Sequence, residues 1–263
     1  MVNLKNKLIF LKLGGSLITK KKPYTADFRK IRAIIKEIHD LRQKIKFKLI
    51  IGTGQGSFAH LPAKKYQTSK GYINKYSKKG HSVVQNDASL INRIVVKELI
   101  KVGENAISVQ PSAASMGDGG KVKFFYLEPI KTYLKNNLVP VIYGDVVADL
   151  KKGCTIFSTE KIFNYLARKL KPEKIILMTR VGGVYDFKKR IIPEINKKNF
   201  HGIKKFLKKA EKIDVTGGML HKVMEAIEMT KNCIEINIIG GGKGNLEKCL
   251  KRESVGTKIL WKK

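Results

Sequence analysis

Apolar runs separated by amphipathic stretches constrain this chain most. Leu8-Ile-Phe-Leu11, Leu49-Ile-Ile51 and Ile175-Ile-Leu-Met178 are uninterrupted, and Ile234 to Ile239 is predominantly apolar, which suits strands buried on both faces. Between the first two, Phe28, Ile31, Ile34, Ile35, Ile38 and Leu41 recur at helical spacing over 26–44. Further helical patterns cover 83–102, 160–170, 199–209 and 218–231, and strand patterns cover 7–13, 47–52, 105–109, 138–142, 174–178, 233–239 and 256–260. Residues 145–157 read as a strand pair around Lys151-Lys-Gly153, and 183–192 as a hairpin. The alternation predicts an α/β fold, a three-layer α/β/α sandwich with a mostly parallel central sheet. With 263 residues, 43% of them hydrophobic, the chain can bury a large core as one unit or two lobes. Stretches 66–82 and 112–123, the latter with Gly117, Gly119 and Gly120, read as exposed loops.

Glycine loops follow three of these segments. Lys12-Leu-Gly14-Gly15-Ser16 closes the first strand, Gly52-Thr-Gly54-Gln55-Gly56-Ser-Phe-Ala-His60 closes the second, and Asp214-Val-Thr-Gly217-Gly218-Met-Leu-His-Lys222 opens a helix. Backbone N–H groups free of Cβ interference can approach an anion closely, and a nearby lysine or histidine adds charge. Any one such loop is more often a plain turn. Three together suggest a site for highly charged phosphates. No GxxxxGK[ST] occurs, and Gly52-Thr-Gly54-Gln-Gly56-Ser57 lacks the third glycine of GxGxxG, so a P-loop or dinucleotide fingerprint is excluded.

The formal net charge is +33. It is spread over the chain and is nearly all lysine, with eight arginines, whereas specific nucleic-acid recognition favours clustered arginine forks and aromatics. Runs such as Lys20-Lys-Lys22 read as solvated loops, and no specific nucleic-acid partner is expected. Cys154, Cys233 and Cys249 are widely spaced without CxxC, which argues against a disulfide framework or a zinc site. Neither a membrane-spanning segment nor a leader is legible, and the expectation is a cytoplasmic protein with no membrane partner. His60 has a bland reading as a helix-start residue beside Pro62; Glu160 could be a favourable first-turn acid with Ser158 or Thr159 as cap, and Asp145 a turn residue after Gly144. His39, His81, His201 and His221 read as surface or interface residues.

As a set, these loops with Tyr143-Gly144-Asp145 and Thr179 to Tyr185 resemble the amino acid kinase superfamily and, within it, the isopentenyl phosphate kinase branch, over nearly the full chain in order. The distinguishing element is the histidine ending the second glycine loop. The resemblance implies ATP-dependent phosphorylation of isopentenyl monophosphate to the diphosphate in the archaeal-type mevalonate route, with ATP and Mg²⁺ as cofactors and a homodimeric assembly. Lys12, His60, Glu160 and Lys222 become the implied catalytic residues. Gly14, Gly15, Ser16, Lys21, Thr179, Gly183, Tyr185, Gly217, Gly218 and Lys222 are implied for the nucleotide. Gly54, Gln55, Gly56, His60, Gly144 and Asp145 are implied for the acceptor, and no side chain is assigned to metal. Ser108-Val-Gln-Pro111-Ser112 resembles the segment beside the acceptor pocket, whose wall is expected from the 83–102 helix. An acceptor lobe over 1–170 and a nucleotide lobe over 171–263 are expected on one continuous sheet.

Three departures stand out. Thr53-Gly-Gln55-Gly56 replaces His-Gly-Gly-Gly, Ser158-Thr-Glu160-Lys161 replaces Ser-Gly-Asp-Asp, and Thr179-Arg180-Val-Gly182-Gly-Val-Tyr185 replaces Thr-Asp-Val-Asp-Gly-Val-Tyr. Kinases of another small phosphate, a phosphonate or a carboxylate, or a weakened anion- or nucleic-acid-binding protein on the same scaffold, are the alternatives.

Overall fold

A computed structural model describes residues 4–213, 218–230 and 234–261. Its strands are β1 (Leu8–Leu13), β2 (Lys48–Thr53), β3 (Ala106–Val109), β4 (Ser115–Asp118), β5 (Lys121–Phe125), β6 (Val139–Tyr143), β7 (Asp145–Asp149), β8 (Gly153–Phe157), β9 (Lys174–Thr179), β10 (Glu194–Ile195), β11 (Glu235–Gly240) and β12 (Thr257–Ile259). The helices are α1 (Gly15–Ile18), α2 (Phe28–Ile45), α3 (His60–Lys65), α4 (Ser77–Lys101), α5 (Pro111–Ala114), α6 (Glu128–Lys135), α7 (Thr159–Leu170), α8 (Phe200–Ile213), α9 (Met219–Thr230) and α10 (Asn245–Leu250). Eight strands form one sheet in the order β10-β12-β11-β9-β1-β2-β6-β3. Every described pairing in it is parallel except β11 with β12.

Strand alternation sends neighbouring side chains to opposite faces. Ile9, Leu11 and Leu13 pack with α2, α4 and α10, whereas Phe10 packs with residues of α6, α7, α8 and α9. The result is the α/β/α sandwich expected from the sequence. Lys12 continues the Leu8–Phe10 stripe and so falls on the α7 face, the placement on which the site depends.

At Gly144 the chain leaves the main sheet after β6 and enters a smaller sheet, β5-β4-β7-β8. A Cβ there would meet Gln55 Nε2 at 2.5 Å and the Phe157 carbonyl oxygen at 3.0 Å, so a larger residue would have to displace the Gln55 amide. The two stretches expected as loops hold regular secondary structure instead. Residues 112–123 hold the end of α5 and most of the β4–β5 hairpin, whose turn is tied down by Asp149: its carboxylate accepts from the N–H groups of Gly119, Gly120, Lys151 and Lys152 at 2.7–3.0 Å. Within 66–82, α4 begins at Ser77, earlier than its apolar period, and Thr68, Gly71, Ser77 and Gly80 are buried. Glycines and lysines hid that packing. Cys154 is buried in β8 and Cys249 in α10, both as free thiols; Cys233 lies outside the described residues. No helix among the described residues is long and apolar enough to cross a membrane.

Candidate active site

Parallel pairing in register brings three strand ends together. Leu13 is level with Thr53 of β2 and Met178 of β9, so the segments that follow emerge side by side at the carboxyl edge, where open α/β sheets place ligands. They border a cleft of about 960 Å³ lined by Lys12, Gly15 and Ser16, Lys20 and Lys21, Gly54 to Ser57, His60 and Leu61, Ser158 to Glu160, Arg180, and Gly218, His221 and Lys222.

The first two glycine loops pack on each other as well as on the cleft. A Cβ on Gly15 would collide with Gly56 N and lie 2.7 Å from Gly56 Cα, and one on Gly54 would lie 2.5 Å from Gly15 N. Thr19 locks the contact: its hydroxyl donates to Gly15 O at 2.9 Å and accepts from Ser57 N at 3.1 Å. Gly56 has φ +51°, and its Cβ would lie 2.7 Å from Gly15 O. Gly56→Ala is therefore expected to cost about 2–4 kcal/mol, from left-handed strain and overpacking together. Urea unfolding checks this, and an unchanged midpoint would refute the crossing-loop account.

Beneath the second loop runs a buried polar chain. Ser108 donates to Asn92 Oδ1 at 2.6 Å, Asn92 Nδ2 lies 3.4 Å from Thr53 Oγ1, and Thr159 Oγ1 donates to Thr53 O at 2.8 Å. Thr53 thereby links α4 on one side of the sheet to the first turn of α7 on the other. Ser158 caps α7, accepting from Lys161 N at 3.1 Å, and aims the positive end of that helix dipole at the cleft. Gln55 reaches sideways and donates its amide to Gly144 O. That bond spans the main-sheet exit and explains how a side chain fits where the resembling family has glycine.

Lys12 Nζ lies 2.8 Å from Glu160 Oε1, with both side chains at most 10% exposed. Burial works against the Glu160 carboxylate, but the charge and hydrogen bond of Lys12 and the charge of Lys222 outweigh it and hold the carboxyl below its ordinary value. Lys222 Nζ donates to Gly218 O at 3.1 Å. His60 is open to the cleft but ringed by its walls; this partial burial, with the charges of Lys12 and Lys222, lowers its pKa against the opposing pull of Glu160.

Several residues expected at the site lie off the cleft. Gly14 donates its N–H to Met178 O at 2.9 Å, extending the sheet. Thr179 is buried, its hydroxyl donating to Val181 O at 2.7 Å. Tyr185 belongs to the 184–192 hairpin, bridged to Ile191, and Gly183 immediately precedes it; neither they nor Gly144 line the cleft. Gly217 lies outside the described residues. Asp145, expected to face the glycine loops, turns instead to α5, accepting from Ser112 N and Val146 N at 2.9 Å each. Alternation along β7 could not reveal this, because the chain changes sheets one residue earlier. Nor does α4 line the cleft; it packs Val84 and Ala88 against Ala59, Tyr143 and Val146.

Burial raises Asp145 from 3.8 to about 6, although three hydrogen bonds oppose the rise. A carboxyl whose folded pKa is raised stabilises the fold fully below its unfolded value and loses that contribution as pH rises through the folded one. The unaltered chain is thus expected to lose up to about 3 kcal/mol between pH ~4 and ~6 that Asp145→Asn does not lose. Denaturant unfolding across that range tests it, and parallel stability profiles would contradict it.

Further residues line the cleft that local sequence pattern does not mark. His221 lines the cleft, with Nε2 3.6 Å from Glu225 Oε1, and the sequence signal was its position one residue before Lys222. Arg180, Thr19 and Thr159 join it; Thr19 and Thr159 gave no periodic signal. The remaining histidines lie elsewhere: His39 contacts Glu104 at 3.0 Å and His81 contacts Tyr72 at 2.8 Å.

Residues 7–240 match the model of the amino acid kinase family. The chain is similar to the isopentenyl phosphate kinase of Methanocaldococcus jannaschii, at 36% identity covering 96% of this chain and 98% of the relative. It is also similar to the isopentenyl phosphate kinase of Methanothermobacter thermautotrophicus, at 32% identity covering 97% and 100%. An X-ray structure of an isopentenyl phosphate kinase superposes with TM-score 0.81 at 30% identity, covering 96% of this chain and 100% of that one.

Proposed function

The chain belongs to the amino acid kinase family, and from that premise we propose that it transfers the γ-phosphoryl group of ATP to isopentenyl phosphate, giving isopentenyl diphosphate and ADP in an archaeal-type mevalonate route. The observation that carries this reading is His60, which opens α3 at the end of the second glycine loop and shares one cleft with the buried Lys12–Glu160 pair and Lys222.

In the reaction an oxygen of the acceptor phosphate forms a bond to the γ-phosphorus while the bond to the β,γ-bridging oxygen breaks. No covalent enzyme intermediate is needed, so positioning and neutralisation supply the catalysis. His60 holds the acceptor phosphate through an imidazole N–H, supported by the N–H groups of Gly54, Gln55 and Gly56. Lys12, fixed by Glu160, meets the charge that develops on the transferring group. Gly15 and Ser16, with Lys21, Gly218 and Lys222, line the nucleotide side. Thr179, Gly183 and Tyr185 shape the neighbouring segment, Gly144 braces the acceptor loop by accepting from Gln55, and Asp145 holds α5 behind it.

The lining fits a polyphosphate, with five Lys or Arg side chains, Lys12, Lys20, Lys21, Arg180 and Lys222, to one carboxylate, Glu160. It does not fit a resident Mg²⁺. Glu160 is engaged by Lys12, and the described residues hold no group of three metal-ligating side chains. Mg²⁺ accordingly belongs to the reading only as an ion carried by the nucleotide's oxygens. The same proposal includes the acceptor lobe at 1–170, the nucleotide lobe at 171–263 and a cytoplasmic location, as expected from the sequence, and a homodimer, supported by the resemblance of motifs.

ADP release measured with isopentenyl phosphate, UMP and N-acetylglutamate tests the reading. Turnover with the first far above the other two is expected. Preference for UMP or N-acetylglutamate would overturn it.

A further inference from the structure

Arg180 is the first residue beyond β9, and it lines the cleft. Its guanidinium makes no hydrogen bond or ion pair with any described residue, and the cleft around it is already cationic. The backbone carrying it is fixed on both sides. Thr179 Oγ1 donates to Val181 O at 2.7 Å, closing the turn over Arg180, while Gly14 N donates to Met178 O at 2.9 Å and Gly241 N to Thr179 O at 3.0 Å. A guanidinium carried on this fixed backbone among lysines repels its neighbours until an anion arrives.

The strand order says which anion. Running β9-β1-β2, the cleft presents Arg180 at one end, Gly15 and Ser16 in the middle and the loop to His60 at the other. Arg180 therefore stands across the first glycine loop from the acceptor histidine, on the side of Gly218 and Lys222. A forked guanidinium suits two oxygens of a phosphate chain.

We propose that Arg180 is a nucleotide-binding residue of this chain, gripping the polyphosphate at the end of the cleft opposite His60 and supplying neutralisation that lets a nucleoside triphosphate bind without a divalent cation. The assignment rests on the kinase reading above. It adds a ligand that the resembling family pattern, with an acid at this position, does not have.

Calorimetric titration of ATP into the full chain, in EDTA and in excess Mg²⁺, tests it without turnover. The unaltered chain is expected to bind ATP in EDTA. Arg180→Ala should weaken that binding by about tenfold to a hundredfold, the scale of one charge-assisted contact. Arg180→Asp should weaken it further, Arg180→Lys should recover part of the loss, and all three effects should shrink in Mg²⁺. Arg180 is exposed, so the variants keep the fold, which a thermal midpoint verifies. Equal affinity of the unaltered chain and Arg180→Ala in EDTA would overturn the proposal and leave the kinase reading standing. ATP binding by the unaltered chain only in Mg²⁺ would also overturn it. Absence of ATP binding in both media would overturn the kinase reading too.

Discussion

Glu160→Gln is expected to lower kcat by about two to three orders of magnitude, the scale seen when one fixed charge-stabilising group is lost, with small changes in either KM. The amide keeps the shape of the carboxylate but removes the countercharge 2.8 Å from Lys12 Nζ. Lys12 is then free to leave the position in which it meets charge that exists only in the transition state. Breaking a buried pair also costs about 3–5 kcal/mol of stability, so the thermal midpoint should fall as well. Glu160→Asp, one methylene shorter, should restore most of the turnover. If Glu160 were only a first-turn acid of α7, its loss would cost about 0.3–1 kcal/mol and leave kcat intact; a folded Glu160→Gln enzyme with full kcat would sink the assignment.

His60→Ala should reduce kcat/KM for the acceptor by about 10- to 150-fold and leave the nucleotide KM nearly unchanged, because a single hydrogen bond to a charged group contributes about 1.5–3 kcal/mol. The loop glycines remain to hold part of the acceptor phosphate, so activity is reduced rather than abolished. Steady-state kinetics with each substrate varied in turn decides it. Unaltered acceptor kinetics would remove His60 from the site.

Both effects depend on residues that local pattern marked out. Lys12 and the two glycines after it end an apolar run, and His60 ends a glycine loop; such signals are contiguous and survive without a structure. Period also carried the fold, since Phe10 and Ile9 must lie on opposite faces of β1 and the α2 stripe of Ile31, Ile34, Ile35 and Ile38 is continuous. It failed where packing came from residues without period. α4 starts at Ser77 beneath lysines, and Gly80 is buried against Tyr66.

By itself, then, the sequence determined the layers, the parallel sheet and the two glycine loops that follow β1 and β2, because hydrophobic period and turn chemistry act over a few residues. Only the tertiary structure decided what those loops face. Glu160 meets Lys12 across 148 positions because alternation puts Lys12 on the α7 side of β1. Asp145 turns away because the chain changes sheets at Gly144. Gly15 and Gly56 are glycines partly because two loops from adjacent strands cross there, and Arg180 enters the cleft because β9 lies beside β1. Contacts between residues far apart in the chain are set by strand order and register, and neither has a local signature that a single sequence can display.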